Sequence, residues 1–468
     1  MQHSSAIAEN SSLKSEGLVI KSMKGQQDLL ALHHSNPQRY PFLLESVAQA
    51  TGTDTSDKVS PSRFDILFAF PQQTLTLSND ETLSGLDILD GNDFLTNLSQ
   101  WWSRERVSTI ACETLPFCGG WFLYLGYELA KQVEPRLELT MPTTAIAYAT
   151  RIPAAIINDH ETDTTYLFCE TGFNYLDELI NACAGNVKPD IDDSSLNTTV
   201  TEEDETIYLD AIDKVKKYII DGDVFQVNLS RLWKVQQSNL NAVQVYQKLR
   251  KSNPAPFSGL AVYNNFAIIS SSPERLIKIK QGIIETRPIA GTRKRDRNKN
   301  DDDALKAELI AHPKERAEHI MLIDLERNDL GRVCLPGTIK VDELMVLESY
   351  AHVHHIVSNI RGQLREDILP GDAIKAVFPG GTITGCPKER CMAIISELEN
   401  EARGAYTGSM GYMNHNGDMD INILIRTMTL ENNTLSFRAG AGLVADSQPV
   451  AELEETRHKA RGLLLALQ

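Results

Sequence analysis

The sequence has no surplus of positive charge. Its formal net charge is −17, which argues against a sequence-independent nucleic-acid binder, because that needs a basic stripe facing the phosphates. The same acidity argues against adhesion to anionic membranes. Paired cysteine spacing is also missing: the seven cysteines are odd in number and scattered, which fits a reducing cytosol rather than a disulfide framework. Cys386 and Cys391 find no second pair to complete a zinc set. There is no long hydrophobic run. WFLYLGYELA (121–130) is interrupted by Glu128 and too short to cross a bilayer. The N-terminus, MQHSSAIAENSSLKSEG, has no basic start followed by an apolar core, so no secretory signal is expected and a cytoplasmic location is. No repeat of solenoid period occurs. Against this acidic background, a site for an anion must draw positive charge from a metal, Arg, Lys or backbone N–H groups.

What is present is an ordinary globular balance over 468 residues, enough for two or three domain equivalents. Residues 1–16 are expected to be disordered. A first region, 17–183, mixes strands such as RFDILFAFP (63–71), TLTLS and TTYLFCE with helices, one of them around Asp93 to Arg104. Gly119-Gly120 precede the apolar run at 121–130, which reads as core. Residues 184–205, AGNVKPDIDDSSLNTTVTEEDE, are polar and acidic and read as a linker or long loop. The remaining region, 206–468, opens on a helix with Thr201 or Thr206 as N-cap, a stripe of Tyr208, Ile212, Val215 and Ile219, and a stop at Asp221-Gly222. FQVNLSRLWKV, AVYNNFAIIS, LIKIKQGIIETR, HVHHIVSNI and GSMGYMNHNGDMDINILIRTMTL alternate like strands. Asn416-Gly417 and Asn432-Asn433 signal hairpins. Hairpins with long helices predict an α+β fold of antiparallel β-sheets covered by helices.

The chemistry gathers around KERAEHIMLIDLERNDLGR (314–332). Pro313 suits the first turn of a helix, and Ala317, Ile320, Met321 and Leu325 follow its period. Glu315 and Glu318 are three apart and share a face. Glu452 and Glu455 repeat the spacing in VAELEETRHKAR, with Lys459 one turn beyond. These are either solvated helix faces or two carboxylate pairs converging on one divalent cation. FPGGTITGCPKERCM (378–392) brings backbone close to a ligand and ends in a helix start that can meet an anion; it lacks the Gly-Lys-Ser/Thr of a phosphate-binding loop. RAGAGLVADS (438–447) is a second glycine-rich turn. Arg426, sharing a strand face with Asn422 and Leu424 in INILIRTM, is either a structural salt bridge or a carboxylate clamp. In HVHHIVSNI, His352 and His354 share one strand face and His355 takes the other, which favours His355 as a single functional histidine.

The ordered set Glu-x-x-Glu-His, DLERNDLGR, HHIVS, GGTITGCPK, IRT, AGAGLVADS and ETRHKA resembles the chorismate-utilising enzymes, which include the large subunits of anthranilate synthase and aminodeoxychorismate synthase. The resemblance is dense from about residue 206 onward and looser in YPFLLES (40–46) and GGWFLYLGYELA. It implies that family's fold, with two interlocked subdomains, and the dianion chorismate as substrate, bridged to protein by Mg²⁺. By resemblance, Glu318 and Glu455 are metal ligands, and Glu315 and Glu452 lie by the departing ring hydroxyl. Arg426, Tyr406, Gly440 and Gly442 hold the other carboxylate, with Lys459 nearby. His355 and Thr382 line the ring, and Gly291-Thr292 close the pocket. Members that add water carry a general-base lysine where this chain has Gln226, so the nucleophile implied is ammonia.

QVNLS (226–230), NPAPFSG (253–259), SSPERL (271–276) and GCPKERCM are similar to the aminodeoxychorismate branch. Ala290 dissents: that branch carries a lysine there and anthranilate synthases do not. The expected activity is conversion of chorismate and ammonia to 4-amino-4-deoxychorismate, with anthranilate synthesis as the alternative and a non-catalytic chorismate or tryptophan sensor as a remote one. No glutaminase elbow is evident in the sequence, so a separate glutamine amidotransferase subunit is the expected ammonia source. The resemblance also implies a tryptophan pocket around Leu43, Glu45 and Ser46.

Overall fold

The computed structural model describes the chain apart from residues 1–11, 16, 48–62, 88–90, 108–113, 186–190, 193, 195, 197, 238, 297 and 351–352. Two antiparallel sheets face each other. The first runs, in spatial order, through strands 12–15, 18–24, 164–170, 154–159, 64–69, 42–45, 257–263, 266–272, 427–431, 434–443, 226–236 and 200–202. The second runs through 289–294, 353–363, 283–286, 275–280, 419–423, 409–414, 120–125, 147–152, 74–77 and 83–84. Both mix strands from before and after residue 205, so the polar stretch at 184–205 does not separate two sheets. It also contributes a short strand, Val200–Glu202, paired with Lys234 and its neighbours. Residues 12–15, expected to be disordered, pair with 18–21.

Aromatic residues fill the space between the sheets. Phe42 of the first stacks on Phe122 of the second at 4.0 Å, and every residue of Gly120–Leu125 is buried, as the apolar run predicts. Helices cover the outer faces. Phe94–Glu105 and Pro370–Val377 pack on the second sheet, Ala242–Ser252 and Pro449–Leu465 on the first. The architecture is the expected α+β one, antiparallel sheets sandwiched and covered by helices.

Local signals set several boundaries. Asn432 and Asn433 take φ of +47° and +64°, the two left-handed positions of a tight hairpin turn, which Asn tolerates. Pro313 occupies the first turn of the Pro313–Gly331 helix. The N-cap of Glu205–Ile220 is Asp204, not Thr201 or Thr206: its carboxylate accepts the Thr206 N–H at 2.9 Å. An ionised cap answers both the free N–H group and the positive helix end.

The chain passes from the first sheet to the second between 266–272 and 275–280, and returns between 419–423 and 427–431. The crossings are tied together. Ser271 N–H donates to Arg426 O at 3.1 Å, and Ile423 N–H donates to Glu274 O at 3.0 Å. Arg426 therefore does not continue a strand face with Asn422 and Leu424. It sits in the return crossing with φ +53°, because the backbone must turn there to change sheets.

Candidate functional site

The Pro313–Gly331 helix does not bury the face its apolar spacing suggests. Ile320 is 45 % exposed, and the buried side is His319, Leu322, Ile323, Glu326, Asp329 and Leu330. That side is anchored by polar contacts. Lys388 Nζ donates to Asp329 Oδ2 at 2.5 Å, Thr286 Oγ1 to Glu326 Oε2 at 2.9 Å, and His319 Nε2 meets Ser358 Oγ at 2.6 Å. Anchored this way, the helix turns Glu318 toward the glycine-rich end of strand 434–443 and Glu315 toward Gly291 of strand 289–294.

Gln226 Nε2 donates to Glu318 Oε1 at 2.7 Å. A Cβ built on Gly442 would lie 2.3 Å from that amide nitrogen and 3.6 Å from Glu318 Oε1, so the close approach needs glycine. Lys459 Nζ bridges Glu455 Oε1 at 2.7 Å and Gly440 O at 2.9 Å. Burial raises the Glu318 pKa, and repulsion from Glu315 and Glu455 adds to it. Burial also raises Glu452, again with Glu455 adding. Glu315 pairs with Arg293 at 3.2 Å. Four carboxylates from two helices distant in sequence thus share one field, and the two expected ligands, Glu318 and Glu455, are close enough to repel one another. Among the described residues, no three His, Cys, Asp or Glu side chains form a ready-made metal cage. Two mutually repelling carboxylates match the donor type of a magnesium ion, which takes few protein oxygens.

Cationic and polar groups lie near these carboxylates, Arg426 within the field of Glu455. Among the described residues no hydrogen bond or ion pair engages the Arg426 guanidinium, and burial lowers its pKa. His355, from strand Val353–Gln363, is buried and meets Thr292 Oγ1 at 3.0 Å and Gly291 O at 3.4 Å through Nδ1. Burial brings its pKa down to about 4, with Arg426 contributing, so the ring is neutral. Gly291 has φ +66°, and a Cβ there would lie 2.8 Å from a Glu315 oxygen. Tyr406 OH points at Gly440, 2.8 Å from where its Cβ would be. His354 faces away, held by Asp302 Oδ1 and Ser349 Oγ at 2.8 Å each; His352 lies outside the described residues.

Glu274 is a residue the motif reading used only as a branch marker. It sits in the outgoing sheet crossing and is buried, with the Thr382 hydroxyl and the Ile289 N–H directed at its carboxyl. Burial raises the carboxyl to about 7, against the Thr382 hydroxyl and the Ile289 N–H and, more weakly, Lys459 and Arg426. Burial thus favours the protonated form and these neighbours oppose it. Pro-Glu at a strand-to-strand junction was the only sequence signal, and it is weak.

The residues of the expected tryptophan pocket make contacts within the protein. Leu43 is fully buried. Glu45 accepts from Tyr246 OH at 2.6 Å and Arg250 Nη1 at 3.1 Å. Ser46 N–H donates to Asp65 Oδ1 at 2.8 Å.

Gly442→Ala is expected to leave the fold intact, since overpacking of this kind costs about 1–3 kcal/mol. It should lower turnover about thirtyfold by pushing Gln226 off Glu318. Unchanged kinetics in a folded Gly442→Ala protein would mean that the Gln226–Glu318 contact has no part in the reaction.

Comparisons with known proteins show the family and the fold. The family model described as chorismate binding enzyme matches residues 48–465. An "anthranilate synthase component I-like protein" of Synechocystis sp. is 43% identical over 368 residues, covering 76% of this chain and 74% of that one. An "aminodeoxychorismate synthase component 1" of Bacillus subtilis is 40% identical over 384 residues, covering 78% and 81%. The crystal structure of anthranilate synthase component I from Streptococcus pneumoniae superposes with a TM-score of 0.76 at 30% identity, covering 88% of this chain and 95% of that one. Among the described residues no helix is long and apolar enough to cross a membrane. The chain belongs to the chorismate binding enzyme family, with the fold of anthranilate synthase component I.

Proposed function

We propose that this enzyme replaces the ring hydroxyl of chorismate with ammonia, in the presence of Mg²⁺, to give 4-amino-4-deoxychorismate. What supports this is a charge pattern among the candidate site residues. Glu318 and Glu455, close enough to repel one another, suit a cation that takes one carboxylate. Arg426, with no partner among the described residues, suits the second carboxylate. The metal, when bound, supplies charge neutralisation and polarises the leaving oxygen. Glu318 and Glu455 would hold it, with Glu315 and Glu452 beside them. Gln226 stands where water-adding members of the family carry a lysine base, and ammonia needs no base to attack. Tyr406 and Lys459 orient the substrate, and neutral His355 lines the ring without adding charge.

Glu274, buried and held near 7, gives its proton to the departing hydroxyl. A group acting as acid must be protonated, so kcat should fall as pH rises through about 7. Glu274→Gln should lose about a hundredfold, within the usual range for general acids. A Glu274→Gln enzyme that keeps the wild-type rate and pH profile would exclude this assignment.

Para amination is supported by QVNLS, NPAPFSG, SSPERL and GCPKERCM and by the relative in Bacillus subtilis. Ala290, buried and without an amine, favours a second reading, anthranilate synthesis. The test is mass spectrometry of products from chorismate, Mg²⁺ and ammonium. An aminated product retaining the enolpyruvyl group is expected. Pyruvate with a fluorescent ortho-aminobenzoate installs the second reading, and no turnover of chorismate removes both. Ammonia is expected to come from a glutamine amidotransferase subunit, so the purified chain should turn over ammonium but not glutamine.

A further inference from the structure

We propose that Arg403 is a positioning residue for the substrate pocket, one guanidinium that fixes Tyr406, the Asn228 backbone and the Ile383 carbonyl relative to one another. The inference rests on the chorismate reading of the site and deepens it. Arg403 lies in the turn that leads to Tyr406 and is 5 % exposed. All five of its N–H groups are used. Nε donates to Glu399 Oε2 at 2.9 Å, and Nη2 to Glu399 Oε1 at 2.6 Å and to Asn228 O at 2.8 Å. Nη1 donates to Ile383 O at 3.3 Å and Thr407 Oγ1 at 3.2 Å.

Those acceptors belong to segments that carry site residues. Asn228 is two residues from Gln226 on its strand, Ile383 follows Thr382 in the glycine-rich loop, and Thr407 follows Tyr406. The guanidinium carbon also stands 5.4 Å from the Tyr406 ring centroid and 4.9 Å from that of Tyr127. A planar fork with five fixed directions can set three segments at once; the three rotatable donors of lysine cannot reproduce it.

The anchor of the fork is itself fixed. Glu399 accepts from Ser230 N–H and Oγ at 2.8 Å each and from Arg438 Nη1 at 3.2 Å. A buried ion pair is weak evidence for stability, since apolar packing often serves as well. The number and destination of these bonds instead match a demand for geometry.

The test is a double-mutant cycle in the full chain with Arg403→Lys, Tyr406→Phe and both, measuring kcat and KM for chorismate at saturating ammonium and Mg²⁺, with a thermal melt of each. Arg403→Lys is expected to raise KM about thirtyfold with kcat changed less than about fivefold, and Tyr406→Phe to raise KM about tenfold. Because the arginine acts through the tyrosine, the double variant should match Arg403→Lys within about threefold. Multiplication of the two effects to about three-hundredfold, or a wild-type KM in Arg403→Lys whatever its melting temperature, overturns the proposal. If Arg403→Lys does not fold, Glu399→Gln takes its place in the same cycle. Tyr406→Phe with wild-type KM overturns the role through Tyr406 while leaving the chorismate activity standing. A wild-type chain that does not turn over chorismate removes the functional reading, and this inference with it.

Discussion

Glu318→Gln is expected to lower Mg²⁺-dependent turnover of chorismate about a thousandfold. The substitution keeps the size of the side chain and an oxygen that can accept from Gln226 Nε2, now 2.7 Å from the carboxylate. What it removes is one negative charge of the pair facing the pocket. In the wild type that charge is held at a cost. Burial and the fields of Glu315 and Glu455 all push Glu318 toward its neutral form, and a cation shared with Glu455 reverses the sign of both effects. Metal polarisation of a leaving oxygen contributes several kcal/mol, and about 4 kcal/mol is about a thousandfold. Calorimetric titration with Mg²⁺ should show weaker binding in the variant. Stability should hold or rise, because a half-buried carboxylate repelled by its neighbours has become a neutral amide. A Glu318→Gln enzyme with the wild-type rate and Mg²⁺ dependence would leave the metal reading without support. A wild type with no turnover for the substitution to abolish would instead favour a sensor.

The sequence made the chemistry legible before the geometry. Glu315, Glu318, Glu452, Glu455, Arg426 and His355 stand in ordered motifs, and motif spacing survives without knowledge of topology. Hairpin turns were legible for a similar reason: Asn432-Asn433 encode a local φ preference that no distant contact needs to supply. The buried side of the central helix was not. Its apolar residues point to Ala317, Ile320, Met321 and Leu325, yet the packed side holds His319, Glu326 and Asp329, because Lys388, Thr286 and Ser358 arrive from elsewhere to satisfy them. Periodicity detects burial only where burial is apolar. Arg426 and Glu274 share another reason. INILIRTM alternates as one strand, and nothing local marks the point where the chain leaves one sheet for the other. The two residues face each other's charge only because both crossings lie together. The buried fork of Arg403 has as acceptors two distant backbone carbonyls, the Thr407 hydroxyl and one glutamate four residues away, which leave no telling pattern of side-chain types.

Arg426 links this topology to binding, and its replacement should have the second large effect. The residue takes a left-handed backbone, φ +53°, which costs a non-glycine residue on the order of 1–2 kcal/mol. Its guanidinium, partly buried, has no hydrogen-bond or ion-pair partner among the described residues, while burial disfavours its charge. Neither feature helps the free protein, and both are explained if the crossing holds a donor fork ready for a carboxylate. Arg426→Lys keeps the charge and loses the fork, so kcat/KM for chorismate should fall about thirtyfold. Arg426→Met loses both and should fall about a thousandfold, equivalent to about 4 kcal/mol of lost interaction. The thermal melt should move the other way: Arg426→Met is expected to melt at or above the wild-type temperature, since an unpaired buried charge has been removed. A structural salt bridge makes the opposite prediction, because breaking one leaves a carboxylate stranded and costs about 3–5 kcal/mol of stability. Loss of stability together with unchanged chorismate kinetics in Arg426→Met would therefore return this arginine to a structural role and leave the substrate's second carboxylate without its clamp.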